Sequence, residues 1–206
     1  MILPKRFVSI APKTQLDSFQ STAGLRGLRV VVDADKRVVI TAVYEDKQSA
    51  DAASQKAAGV RDGSSDFLTE APVVREGEVA WRYLAEGVDD KPAMPGYVRH
   101  IAVGYDPSKF EAMLSYLESQ TDIYKSIDGL RRILVTPISG SEDHPQLRQR
   151  IGNLDNRMVV TAGYDSRAQS EAARDKVNAF WTSMSEFLTD EPRIFEGNLV
   201  YGHSNR

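Results

Sequence analysis

Three residues stand out as candidates for chemistry: His100, Tyr164 and Asn178. His100 lies in RHIAVGY (99–105), whose β-branched and aromatic residues predict a strand. A histidine facing a cavity there can give or take a proton near neutral pH. Tyr164 ends a second such run, RMVVTAGY (157–164), where a phenol can hold or orient an aromatic substrate. Asn178 sits in a helical pattern three residues before Trp181, roughly on one side with it. A buried amide there needs partners that a ligand can supply. Trp181, Tyr44 and Tyr105 complete the set as ligand-binding aromatics. Each also has a plainer role: a hydrogen-bonded strand histidine, tyrosines packed with the hydroxyl at a rim, an exposed amide, a core tryptophan. His203 reads as a solvated end residue. His144, in DHPQLRQRIG, reads as the start of a short surface helix.

Other chemistry is excluded by what is missing. The chain has no Cys, so disulfides, zinc-thiolate sites and thiol nucleophiles are out. Its three His form no HxH or HxxxH cluster, so no metal site is expected. No P-loop, dinucleotide glycine pattern or Gly-x-Ser-x-Gly occurs, and no cofactor is expected. The 26 Lys and Arg against 29 Asp and Glu leave a net charge of −3 without a basic run, so neither nucleic acid nor a membrane surface is an expected partner. No stretch is long and apolar enough to span a bilayer, and MILPKRFVSIAP is too short in apolar run for a signal peptide. The expected location is the cytoplasm.

The elements that position these residues occur twice. SDFLTEAPVVREG (65–77) returns as SEFLTDEPRIFEG (185–197). Between Arg37–Tyr83 and Arg157–His203, at a fixed offset of 120, 15 of 47 pairs are identical. Upstream, STAGLRG (21–27) faces SIDGLRR (126–132) at an offset of 105. The 15-residue difference is an insertion in the second copy, roughly 136–156. A fixed period of this kind indicates tandem duplication. The predicted repeats are 1–84, with an abbreviated N-terminal part, and 98–206, joined by a linker over 85–97.

The second copy predicts a complete unit. A strand at 99–105 leads to a helix capped by Asp106 or Ser108, whose Phe110, Met113, Leu114 and Leu117 share one face. Gly129 closes that region, and strands follow at 132–136 and 157–164. Ser166, with Gln169 as a capping box, opens a long helix with an apolar stripe of Ala173, Val177, Phe180, Trp181, Met184 and Phe187. A last strand is expected at 198–203. The order β-α-β-β-α-β is the ferredoxin-like, split-βαβ pattern. The strands are apolar on both alternations, so the second sheet face also needs cover. The expected fold class is α+β: two ferredoxin-like repeats whose antiparallel sheets pack face to face as a pseudo-dimeric α/β barrel. The first copy allows only a short strand at 6–10 and about two helical turns over 15–22, or no first strand at all. Its second helix has Val60, Arg61 and Ser64 where the other has Phe180, Trp181 and Met184. It also carries Gly59 and Gly63, each costing about 1 kcal/mol relative to Ala. A cavity unequal between the halves is therefore expected.

The run GLRGLRVVVDADKRVVITAVYEDKQSADAAS (24–54) places a Gly before a strand, then a polar turn, a strand ending in an aromatic, an acidic cap and a helix. RMVVTAGYDSRAQSEAA (157–173) repeats it. This cadence resembles the antibiotic-biosynthesis-monooxygenase-like (ABM) group of the dimeric α/β barrel superfamily, over most of both halves. The resemblance implies that one chain supplies two halves usually given by two chains, either as a monomer with an internal pseudo-dimer or as a homodimer. Members include cofactor-free monooxygenases of quinols and polyketide aromatics, and haem-degrading monooxygenases. The aromatic ending the third strand is often Trp in the group; here it is Tyr44 and Tyr164. Haem-degrading members carry a helix-2 His as iron ligand, a first-strand Asn and a helix-2 Trp; this chain matches only Trp181. The resemblance thus implies a cofactor-independent monooxygenase of an aromatic or quinol-like small molecule. His100, Tyr164 and Asn178 would then deprotonate or orient a substrate whose carbanion meets oxygen directly. The alternative is a non-catalytic module for a small apolar ligand or a partner protein. Haem binding or degradation stands third.

Overall fold

The computed structural model describes residues 22–53, 75–88, 94–138 and 156–204. In chain order the described elements are β1 (Leu25–Val32), β2 (Val38–Tyr44), β3 (Trp81–Leu84), β4 (Tyr97–Gly104), α1 (Phe110–Ser119), α2 (Thr121–Lys125), β5 (Leu130–Pro137), β6 (Arg157–Tyr164), α3 (Arg167–Ala172), α4 (Arg174–Ser183) and β7 (Arg193–Ser204). Residues 47–53 are also helical. In the larger of the chain's two units, the strands hydrogen-bond in the order β7-β4-β6-β5-β3. The chain forms two units: Met1–Val73 with Leu199–Arg206, and Val74–Asn198.

The larger unit has β-α-β-β-α-β connectivity with β7, β4, β6 and β5 side by side, the split-βαβ order. The β4–β6, β4–β7 and β5–β6 pairs are all antiparallel. Asp106 accepts the Ser108 N–H at 2.9 Å and starts the turn into α1. Met113 and Leu117 of α1 are buried at the expected i, i+4 spacing. Ser166 accepts the Gln169 N–H at 3.3 Å and caps α3, as the capping box predicts. The single long helix expected after Ser166 is divided at Ala173 into α3 and α4. Ala is the best helix former, so no local signal marks the division. Ala173 packs in one cluster with Tyr164 and Leu130, and Met184 in another with Met113 and Met158.

Two further expectations are corrected in this unit. β7 begins at Arg193 rather than 198, because Ile194 and Phe195 already pair with Ile101 and His100. β5 runs Leu130–Pro137, longer at both ends than the expected 132–136, so Pro137 belongs to the strand instead of the insertion. The last strand of the first copy, β3, adds in this unit to the edge of β5, with Trp81 opposite Val135 and Tyr83 opposite Ile133.

In the smaller unit β1 and β2 form an antiparallel hairpin, Leu25 opposite Tyr44 and Val32 opposite Val38. Asp33 accepts both the Arg37 N–H and its guanidinium at the turn, at 2.8 and 2.6 Å. Asp46 accepts the Ser49 N–H at 2.7 Å, capping the helical residues 47–53. The strand expected at 6–10, the first-copy helix with Gly59 and Gly63, and His144 lie outside the described residues.

Asp190 ties the end of β4 to the start of β6 by accepting the Gly104 N–H at 2.6 Å and the Arg157 guanidinium at 2.7 Å. Burial opposes ionisation of this carboxyl, but those two donors outweigh it and hold it below the usual carboxylate range. A carboxyl whose folded-state pKa is depressed stabilises the fold above its unfolded pKa and loses that contribution as pH falls through the folded one. Asp190→Asn is therefore expected to cost about 1–2 kcal/mol near pH 7, allowing for its partial exposure. The deficit should shrink as the parent is acidified below about pH 4. Urea unfolding of both proteins between pH 7 and 3 measures this; a deficit constant across that range would refute the assignment.

Candidate functional site

On one sheet face of the larger unit, strand alternation presents Ile101 and Val103 of β4, Met158, Val160, Ala162 and Tyr164 of β6, and Ile133 and Val135 of β5. α1, α2 and α4 cover this face with Leu117, Tyr124, Val177, Phe180 and Trp181. Between the two layers lies a cavity of about 50 Å³. Its lining is aliphatic and aromatic throughout. Ile123 both lines it and is 36% exposed, so α2 is the wall between cavity and water.

The polar feature of this cavity is Tyr124. The residue is 3% exposed, and among the described residues its buried hydroxyl has no hydrogen-bond partner. Three rings hold it: Tyr83 at 5.3 Å, Trp81 at 5.7 Å, and Phe180 edge-on at 5.7 Å. The Trp81 indole N–H donates to Glu118 Oε2 at 2.8 Å, tying β3 to α1 above the ring. A buried hydroxyl without a partner costs stability. Burial pushes the Tyr124 phenol strongly up from its ordinary value, with smaller contributions from Tyr116 and Glu118. Tyr164, also lining the cavity, is pushed up by burial too; Glu196 adds to this and Arg99 opposes it. The Arg99 guanidinium and Glu196 form an ion pair at 2.7 Å. Both phenols are neutral at pH 7, so they offer hydrogen bonds rather than a base. No His, Asp, Glu or Lys lines the cavity.

Of the candidates read from the sequence, Tyr164 and Trp181 meet at this cavity. His100 does not. Its neighbour Ile101 takes the helix-covered face, so alternation turns His100 to the other. There its Nδ1 lies 3.0 Å from Thr161 Oγ1 and its ring 6.1 Å from Phe195. Asn178 is exposed on α4, one position beyond the cavity-lining Val177. Tyr105 packs on Phe110 at 5.0 Å and bridges to Leu188, outside the cavity lining. Tyr44 ends β2 in the smaller unit, half-buried, with burial pushing its phenol up. Among the described residues no group of three His, Asp or Glu gathers to hold a metal, and no helix is long and apolar enough to cross a membrane. Sequence reasoning missed Tyr124. The signal was present: Tyr124 stands seven residues past Leu117, two turns along the stripe Phe110–Met113–Leu117.

No family model and no curated protein matches the chain. Solved structures do. An anthrone oxidase-like protein superposes with a TM-score of 0.67 at 13% identity, covering 98% of this chain and 88% of its own. A candidate monooxygenase from Lactobacillus acidophilus NCFM gives 0.61 at 14% identity, covering 97% and 88%. A ferredoxin-fold protein from Listeria monocytogenes, related to antibiotic biosynthesis monooxygenases, gives 0.55 at 7% identity, covering 96% and 89%. The chain has the fold of these ABM-like proteins. At such identities the likeness is one of fold.

Proposed function

We propose that the helix–sheet cavity of the larger unit binds a small apolar molecule carrying one polar group, which the Tyr124 hydroxyl takes. The carrying observation is that hydroxyl: buried and, among the described residues, unpartnered, on a ring that lines a cavity whose other hydrogen-bonding side chains are Tyr164 and Trp181. At about 50 Å³ the cavity is well below the roughly 300–1,000 Å³ of drug-sized ligand sites. An aromatic ring therefore enters by outward displacement of α2, the five-residue helix bearing Ile123. Phenol and toluene share a shape and differ in one hydroxyl, which makes them the test pair. In calorimetric titrations the phenol-to-toluene affinity ratio is expected to fall about fivefold in Tyr124→Phe, the equivalent of one net hydrogen bond. An unchanged ratio would sink the reading.

A second reading is oxidative. The folds of an anthrone oxidase-like protein and of a candidate monooxygenase favour it. Since no base lines the cavity, the substrate would have to be acidic enough to form its own carbanion, as a quinol or anthrone is. His100 and Asn178, placed off the cavity, would act only indirectly. Oxygen uptake with anthrone, compared between the parent and Tyr124→Phe, separates this reading from binding alone.

The duplicated organisation is supported by features that sequence identity does not require. Among the described residues, the two positive-φ residues other than Gly, Lys36 (φ 65°) and Asn156 (φ 59°), are 120 apart. Gly24 (φ 72°) and Gly129 (φ 70°) are 105 apart. The register shift at Leu25/Gly27 recurs at Leu130/Arg132, and the caps Asp46 and Ser166 again differ by 120. This supports reading the chain as a single-chain counterpart of two ABM-like subunits.

A further inference from the structure

The smaller unit contains a buried cation with no counter-charge. Arg29, on β1, is 5% exposed. Its Nε is sealed from solvent without an acceptor, and no ion pair or hydrogen bond to its guanidinium occurs among the described residues. Burial alone pushes it down to about 10, so it remains charged at neutral pH. Arginine does not escape burial by losing its proton, and an uncompensated buried charge is among the costliest groups a fold can hold.

Gly27 stands two residues before Arg29 on the same face, and a Cβ there would be in ordinary contact, 3.6 Å from the His203 carbonyl oxygen and 3.7 Å from the Arg29 Nη2. Directly across the ladder from Arg29 is Thr41, which brings a hydroxyl to the same face. At the offsets of 105 and 120, Arg29 and Thr41 correspond to Leu134 and Thr161 of the larger unit, which are likewise paired. There the arginine is replaced by leucine, and the threonine hydroxyl is engaged with His100. The cation is thus specific to the first copy, and not a demand of the fold.

We propose that Arg29, with Thr41 beside it, forms a binding site for a small oxyanion, the carboxylate or phosphate group of a low-molecular-weight ligand. The planar guanidinium can grip either group through two parallel hydrogen bonds, and the Thr41 hydroxyl adds a third donor. The site stands independently of the cavity in the larger unit.

The test uses the full chain, titrated calorimetrically with inorganic phosphate and separately with acetate at constant ionic strength. The parent should bind one of the two saturably, and Arg29→Met should bind it at least tenfold more weakly. Phosphate without acetate identifies a phosphate ligand, and acetate without phosphate a carboxylate. Thr41→Val, which keeps the cation, should weaken binding a few-fold. In chloride alone Arg29→Met should unfold at a higher temperature than the parent, since it removes an unpaired buried charge. Failure of the parent to bind either anion, or equal binding by Arg29→Met, overturns the proposal. So does an Arg29→Met protein that unfolds at a lower temperature in chloride.

Discussion

Tyr124→Phe is expected to be more stable than the parent by about 1–2 kcal/mol, because it deletes a buried hydroxyl that has no partner and leaves the ring in place. Aromatic-to-aromatic replacement here changes no contact with Trp81, Tyr83 or Phe180, whose rings surround it. Truncations of core residues usually destabilise, so a gain is a sharp outcome. It bears on the proposed function as well: function often costs stability, so a buried hydroxyl that weakens the free protein supports the proposal of a ligand at that ring. Denaturant midpoints of the two proteins without ligand decide the matter. A loss of stability would mean that the hydroxyl is already satisfied in the folded chain, and the ligand reading would lose its main support.

Trp81→Ala should be the most destabilising of the single changes considered, by about 2–4 kcal/mol, below the full range for a wholly buried aromatic because Trp81 is half-buried. Trp81 packs against both hydrophobic clusters of the larger unit, stacks obliquely on Tyr124, and donates to Glu118. It is also the first residue of β3, a strand of four residues at the edge of β5. Removing the indole loosens the strand along with the cluster beneath it. The measurements are urea unfolding and amide exchange at Val135 and Ile133, its partners across the ladder. Unchanged protection there, with a loss below about 1 kcal/mol, would show that β3 is held by its backbone alone.

The helix α1 was legible because its apolar residues recur at 3.6-residue spacing and its surroundings are polar; one face could be assigned without knowing what it meets. The cap at Ser166 was legible because capping is local, a matter of residues three apart. The strands β4 and β6 were legible as strands, yet their covered face was not. Both alternations are apolar and buried, so Val98, His100 and Ile101 look equally suited to a core. That ambiguity placed His100 in a cavity it turns away from. Asn178 lies off the cavity for a related reason: a step of one residue around α4 separates the lining Val177 from the exposed Asn178, and helical periodicity alone does not fix where that step falls.

By itself, then, the chain determined its order of elements, its turns and caps, and the recurrence of these at constant offsets, since all depend on interactions between residues a few positions apart. Only the tertiary structure decided which strand face meets helices, that the short run WRYL closes against β5, and that, among the described residues, the Tyr124 hydroxyl on α2 and the Arg29 Nε on β1 are buried without a partner. Those outcomes depend on pairings across tens of residues, where many edges and faces are locally equivalent and the summed packing of the folded chain selects one.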